Sequence, residues 1–364
     1  SLRLLTPNWM SRLPGHRYRG SDPDGFMSKD ETIEFLAGYE RSFDAPTLTG
    51  VTVERVVSRC SGFEVVTDAG TWTCDAVVAA TGASSEPRLP AVAADVPPEI
   101  DQLTALQYRN PAQLAEGDVL VVGASASGVQ IADELQRSGR RVTVAVGEHV
   151  RLPRSHRGRD IYWWMDTIGQ LDERYDDVDD VDRARRLPSL QLIGSPERRQ
   201  LDLNSLVAAD VGMVGKFLGV AGDRAQFSGG VAHLVANADL KQRRLLERID
   251  DYATANGMDA SLPESSCPEP TKLGVVPTEL ELRRFGTIVW ATGYRPTFAW
   301  LDRQAFDRRG KLMHDGGVCA LAGLYVLGLP FLRRRKSSFI DGTGADTADL
   351  VGHLHGHLDR RIHS

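Results

Sequence analysis

Val119-Leu120-Val121-Val122-Gly123-Ala124-Ser125-Ala126-Ser127-Gly128 is an apolar strand that runs into a glycine turn and then a helix. Such a turn lets backbone N–H groups approach a pyrophosphate, and the positive end of the helix dipole favours that charge. The stretch lies in the middle of the chain. A lone dinucleotide domain usually opens with this turn, so a central one implies a second nucleotide-binding unit built around it. The strand, a helix over 127–137, the Ser138-Gly139 stop and a strand over 142–146 make one βαβ unit of about 30 residues. Ser125 replaces the middle glycine of GxGxxG, and glycine turns between strand and helix also occur for structural reasons alone. The complete βαβ context is what points to a dinucleotide. Gly123, Ser125, Ala126, Ser127 and Gly128 are the candidate contacts.

The choice of nicotinamide cofactor depends on the end of the second strand, where NAD sites place an acid on the ribose 2′-hydroxyl. Here that strand ends in Val146-Gly147, followed by Glu148, His149, Arg151 and Arg154. Arg151 and Arg154 could hold a 2′-phosphate by bidentate hydrogen bonds, which favours NADPH. Glu148 leaves NADH open, and all four side chains could equally face solvent.

Working outward, Val77-Val78-Ala79-Ala80-Thr81-Gly82 and Ile288-Val289-Trp290-Ala291-Thr292-Gly293 share one shape, a buried strand ending in Ala-Thr-Gly. One copy is unremarkable. Two copies straddling the βαβ unit suggest that it is inserted into another domain, with small residues where the chain passes between the two. A third glycine-rich segment, Asp341-Gly342-Thr343-Gly344, follows a strand near 324–327 and precedes a closing helix expected after Gly344. It could offer N–H groups to an electron-rich ligand or be a simple connecting loop. Ser28-Lys29-Asp30-Glu31 is a capping box for a helix whose apolar side carries Ile33, Phe35, Leu36 and Tyr39. A long charged helix is expected over 231–255 and a hairpin around Gly222-Asp223.

Composition narrows the class. The chain has 364 residues, enough for two domains, and a formal net charge of −6 that argues against nucleic-acid binding. No apolar run approaches the roughly 20 residues that span a bilayer. Four cysteines without a CxxC pair fit a reducing cytoplasm and exclude a dithiol reductase's redox disulfide. His353, His355 and His357 lack a carboxylate at ligand spacing, so no metal site is expected.

Taken jointly, Leu2-Arg3-Leu4-Leu5-Thr6-Pro7, Ala80-Thr81-Gly82, Tyr108-Arg109-Asn110-Pro111, the 123–128 turn, Ala291-Thr292-Gly293-Tyr294 and Tyr325-Val326-Leu327-Gly328-Leu329 carry a resemblance. The chain resembles the flavin-containing monooxygenase family, in particular its bacterial branch similar to plant indole-pyruvate monooxygenases. The resemblance implies an α/β fold of two Rossmann-like dinucleotide-binding domains, an FAD domain (1–114 and 294–364) with an NAD(P)H domain (115–293) inserted in it. It places Thr6, Asn8, Val53, Ala80, Thr81, Gly82, Asp341 and Gly342 on the FAD side, and the 123–128 turn with Ala291, Thr292 and Gly293 on the nicotinamide side.

The implied reaction passes hydride from NADPH to FAD, activates O2 as a flavin C4a-(hydro)peroxide and oxygenates a small organic substrate. The flavin carries the chemistry, so no side chain is assigned a catalytic role. Two departures qualify this. The family's opening GxGxxG is absent, and a strand–turn–helix of roughly 30–45 residues is expected upstream of Ser1. The monooxygenase fingerprint is reduced to Tyr108, with Pro98, Ile100 and Thr104 at its Phe, Gly and His positions, and Ala126 stands where many members carry Asn. An NAD(P)H-dependent flavin reductase or oxidase, or a nucleotide-sensing module linked to transport, therefore stays open, as does a homodimer.

Overall fold

A computed structural model describes residues 2–362; Ser1 and the strand–turn–helix expected upstream of it lie outside the described residues. The elements that position the site are, in chain order, α1 (Lys29–Arg41), β1 (Val53–Arg59), β2 (Gly62–Thr67), β3 (Gly70–Cys74), β4 (Val77–Ala79) and β5 (Glu86–Pro87). Then come β6 (Asp101–Thr104), β7 (Asp118–Val122), α2 (Ala126–Arg137), β8 (Val142–Ala145), α3 (Ile161–Thr167), β9 (Gly212–Val214), β10 (Phe217–Ala221) and β11 (Arg224–Phe227). The last are α4 (Val231–Ala255), β12 (Glu279–Glu281), β13 (Phe285–Trp290), β14 (Tyr294–Arg295), β15 (His314–Asp315), β16 (Val318–Cys319), β17 (Leu324–Val326) and α5 (Ile340–Ile362).

The central sheet has the order β9-β8-β7-β13-β6, and every pairing in it is parallel. Parallel sheets are covered on both faces, which is why β7 reads as a continuous apolar run. Its side chains alternate between two cores. Val119 and Val121 meet Val129, Ala132 and Leu135 of α2, while Leu120 and Val122 meet Phe217, Phe227 and Leu282 on the hairpin side. Val119, Leu120 and Val121 are fully buried.

A second sheet joins a strand from before this unit to a strand from after it. β4 pairs in parallel with β17, with Val77 opposite Leu324 and Ala79 opposite Val326. The connecting chains also pair, through Tyr294 opposite Pro87 and Arg295 opposite Glu86. Everything between β5 and β14 is thus one excursion from the β4–β17 sheet. This excursion starts earlier than residue 115, because β6 lies at the edge of the central sheet and Trp290 Nε1 donates to Gln102 Oε1 at 2.9 Å. The two Ala-Thr-Gly strands therefore belong to different sheets.

Local signals explain most boundaries. Ser28 Oγ accepts from the Glu31 N–H, and Glu31 accepts from the Ser28 N–H at 2.7 Å, closing the capping box of α1. The apolar side of α1 is only half covered. Phe35 and Tyr39 lie against His16, while Ile33 and Leu36 are exposed. The closing helix starts at Ile340 rather than after Gly344. Gly342 sits inside its first turn because a Cβ there would stand 1.8 Å from Lys336 O.

Candidate functional site

β7 ends against the N-terminus of α2, and the turn between them is sterically determined. Gly123 has φ +118°, and a Cβ on it would lie 2.3 Å from Ala291 O. A Cβ on Gly128 would lie 1.9 Å from Gly123 O. Both glycines allow a close backbone approach between β7, α2 and the segment after β13. Ser125 is the N-cap of α2 yet makes no side-chain cap bond. The first-turn N–H groups of α2 are consequently left for an external partner.

They open onto a cavity of about 610 Å³, within the range of small-molecule sites. Gly123, Ser125 and Ser127 line it on one side and Ala291, Thr292 and Gly293 on another. The structure thus brings together two motifs that lie far apart in sequence. Ala126 and Gly128 do not line the cavity, and Ala126 is buried in packing. Tyr294, whose hydroxyl lies 3.3 Å from Ser127 Oγ, adds a polar tip. One wall is a strap, residues 185–189, which is held at both ends. Gln191 Nε2 donates to Ala124 O at 2.6 Å, and Arg185 Nε donates to Phe331 O at 3.2 Å.

Arg151 and Arg154 are not at this cavity. Arg151 is 4% exposed; its guanidinium binds Asp202 and Asp239, at 2.9 and 2.8 Å, and donates to Glu269 O. Arg154 is 3% exposed and donates to Leu5 O and Asp160 between the rings of Phe26 and Tyr162. Both guanidinium groups are spent on internal partners, Arg151 on segments 51 to 118 positions away and Arg154 on nearby Asp160 and distant Leu5. The residues that reach the cavity from this edge are Gly147, Glu148, Lys216 and Phe217. His149 points inward. Its Nδ1 lies 3.0 Å from Gly147 O, and burial lowers its pKa.

None of the FAD-side candidates lines this cavity. Ala80 and Thr81 are exposed beyond β4, and Gly82 has φ +70° with no atom within 4 Å of where a Cβ would stand. Val53 is exposed at the start of β1, and Thr6 is half-buried. Asn8 is engaged internally, accepting from the Met27 N–H at 2.6 Å and donating to Asp22 O at 2.9 Å. Asp341, in the first turn of α5, is held by Arg12 at 2.5 and 3.0 Å and by Lys336 at 3.0 Å.

The remnant of the oxygenase fingerprint is structural. Ile100 is core, and Thr104 binds Gln107. The Tyr108 hydroxyl donates to Glu134 of α2 at 2.8 Å, and burial together with that carboxylate raises its pKa. The four cysteines are free, and His353 Nδ1 lies 3.0 Å from the Tyr325 hydroxyl. Among the described residues, no helix is long and apolar enough to cross a membrane.

Comparison with known proteins agrees with this architecture. The pyridine nucleotide-disulphide oxidoreductase family profile matches residues 19–164. An uncharacterized CzcO-like oxidoreductase of Geobacillus kaustophilus is 30% identical over 359 residues, 98% of this chain and 86% of the relative. Indole-3-pyruvate monooxygenase YUCCA1 of Oryza sativa is 25% identical over 369 residues, 97% and 80% of the two chains. The solved flavin-containing monooxygenase of Stenotrophomonas maltophilia superposes with a TM-score of 0.64 at 19% identity, over 98% of this chain and 86% of that one.

The fold and the relatives together define an FAD- and NAD(P)H-dependent oxidoreductase. Within that class, the chain belongs to the CzcO-like oxidoreductase family.

Proposed function

We propose that this protein passes reducing equivalents from a nicotinamide dinucleotide bound at the 123–128 turn to FAD, and that it uses O2 to oxygenate a small organic molecule in the cytoplasm. The single observation that carries the reading is the cavity where the uncapped N-terminus of α2 meets Ala291, Thr292 and Gly293. The N–H groups of Ser125 and Ser127, which line the cavity, bind the pyrophosphate, assisted by the helix dipole. Gln191 holds Ala124, and with it the turn, in place through a hydrogen bond that is fully buried. The strap over 185–189 limits access of water to the bound nucleotide. FAD would be held at the carboxyl end of β4 by residues 80–82, with Thr6, Val53, Asp341 and Gly342 as further contacts. When bound, the flavin supplies the electron transfer and the reaction with O2.

A second reading, an NAD(P)H oxidase that makes no oxygenated product, is favoured by one observation: Ile100, Thr104 and Tyr108 are all committed to packing or internal hydrogen bonds. Turnover with FAD, NAD(P)H and oxygen-18 gas separates the two. A labelled product formed in step with nucleotide consumption supports oxygenation. Quantitative release of peroxide with every substrate tried supports the oxidase and ends the oxygenase reading.

A further inference from the structure

The cavity edge that reads the adenosine ribose differs from what the basic sequence after β8 implies. β8 and β9 run side by side, with Ala145 opposite Val214 and the Val146 N–H donating to Val214 O at 2.9 Å. Their continuations, Gly147-Glu148 and Lys216, leave the sheet together and both line the cavity. In a doubly wound sheet, a dinucleotide whose pyrophosphate lies on the first helix places its adenosine ribose at the end of the next strand. Here that position carries Glu148, which is exposed and has no ion-pair partner among the described residues.

We propose that Glu148 makes this enzyme select NADH over NADPH by accepting hydrogen bonds from the adenosine ribose hydroxyls. This rests on the reading of the 123–128 turn as the nicotinamide dinucleotide site. A carboxylate satisfies a diol and repels a 2′-phosphate, so the same group attracts one cofactor and excludes the other. Arg151 and Arg154 are not available to reverse that preference. Withdrawing Arg151 would leave Asp202, itself 3% exposed, as a buried charge without its partner. Arg185 donates to Phe331 O and Leu332 O. Arg88 sits beside the nicotinamide-side loop, its N–H donating to Gly293 O and its carbonyl accepting from the Thr292 hydroxyl. Lys216 at the ribose edge and Arg186, an exposed arginine elsewhere on the cavity wall, work against Glu148 by offering a 2′-phosphate some compensation.

Calorimetric titration of the full chain with NADH and with NADPH, at one ionic strength and without substrate, tests this. The wild type binds NADH more tightly by about tenfold or more, a factor worth about 1.4 kcal/mol. Glu148→Gln narrows the ratio, Glu148→Arg inverts it, and Lys216→Ala widens it. Equal or tighter binding of NADPH by the wild type overturns the selection. Ser127→Glu, which places a negative charge at the N-terminus of α2, weakens both cofactors by one common factor. If it leaves both unchanged, the dinucleotide is not at this turn, and the site reading itself has failed along with the selection built on it.

Discussion

The two Ala-Thr-Gly segments have the same letters and opposite surroundings. Ala291, Thr292 and Gly293 follow a strand buried on both faces, and Ala291 O stands where a side chain on Gly123 would have to go. Ala80, Thr81 and Gly82 follow a three-residue strand at the margin of the described sheet, and the space around Gly82 is open. A short motif of small residues therefore marks where chain leaves a sheet. Whether it builds a wall depends on what a distant segment puts against it.

Paired glycine substitutions test this contrast, and they carry the largest expected effect. Gly123→Ala combines an unfavourable φ with a clash against backbone, so it should cost roughly 3–5 kcal/mol and abolish dinucleotide binding. Gly82→Ala meets only the φ penalty, roughly 1–2 kcal/mol, and should leave nicotinamide binding intact. Thermal unfolding and nucleotide titration of the two variants measure this. Equal losses would show that the two segments are packed alike, contrary to the account.

Arg151→Ala should cost as much stability as Gly123→Ala but spare nucleotide binding. Removing one partner of a buried ion pair should cost about 3–5 kcal/mol in denaturant unfolding. The ratio of NADH to NADPH affinity should stay unchanged. A shift of that ratio would return Arg151 to the ribose site.

The smallest effect is Tyr108→Phe, which removes the bond to Glu134 while keeping the ring. A loss of about 1 kcal/mol in stability is expected. Turnover should be unaffected, and a collapse of turnover would mean that the fingerprint tyrosine acts in the reaction.

What could be read from sequence follows the range of the interactions. The strand, turn and helix from Val119 to Arg137 are decided within twenty or so residues by apolar periodicity and glycine placement, and that reading matches β7 and α2 closely. The helix over 231–255 was legible for the same reason. The fate of Arg151 was not, because its acidic partners lie 51 and 88 positions away. Lys216 and Phe217 were hidden likewise, since only the pairing of β9 with β8 brings them to the cavity beside Gly147 and Glu148. The start of α5 is not legible in the sequence, because Gly342 and Gly344 have the composition of a loop. The glycine at 342 instead serves a tight approach to Lys336 O inside a helical turn.

The central claim is that electrons enter through the 123–128 turn and leave through FAD. Its most direct test is anaerobic mixing of the FAD-reconstituted protein with NADH, following the loss of oxidised-flavin absorbance in the wild type and in Ser127→Glu. The account predicts full bleaching of the wild type and a rate at least about tenfold lower in the variant at subsaturating NADH. Bleaching at the same rate in both proteins, or none in the wild type, would contradict it.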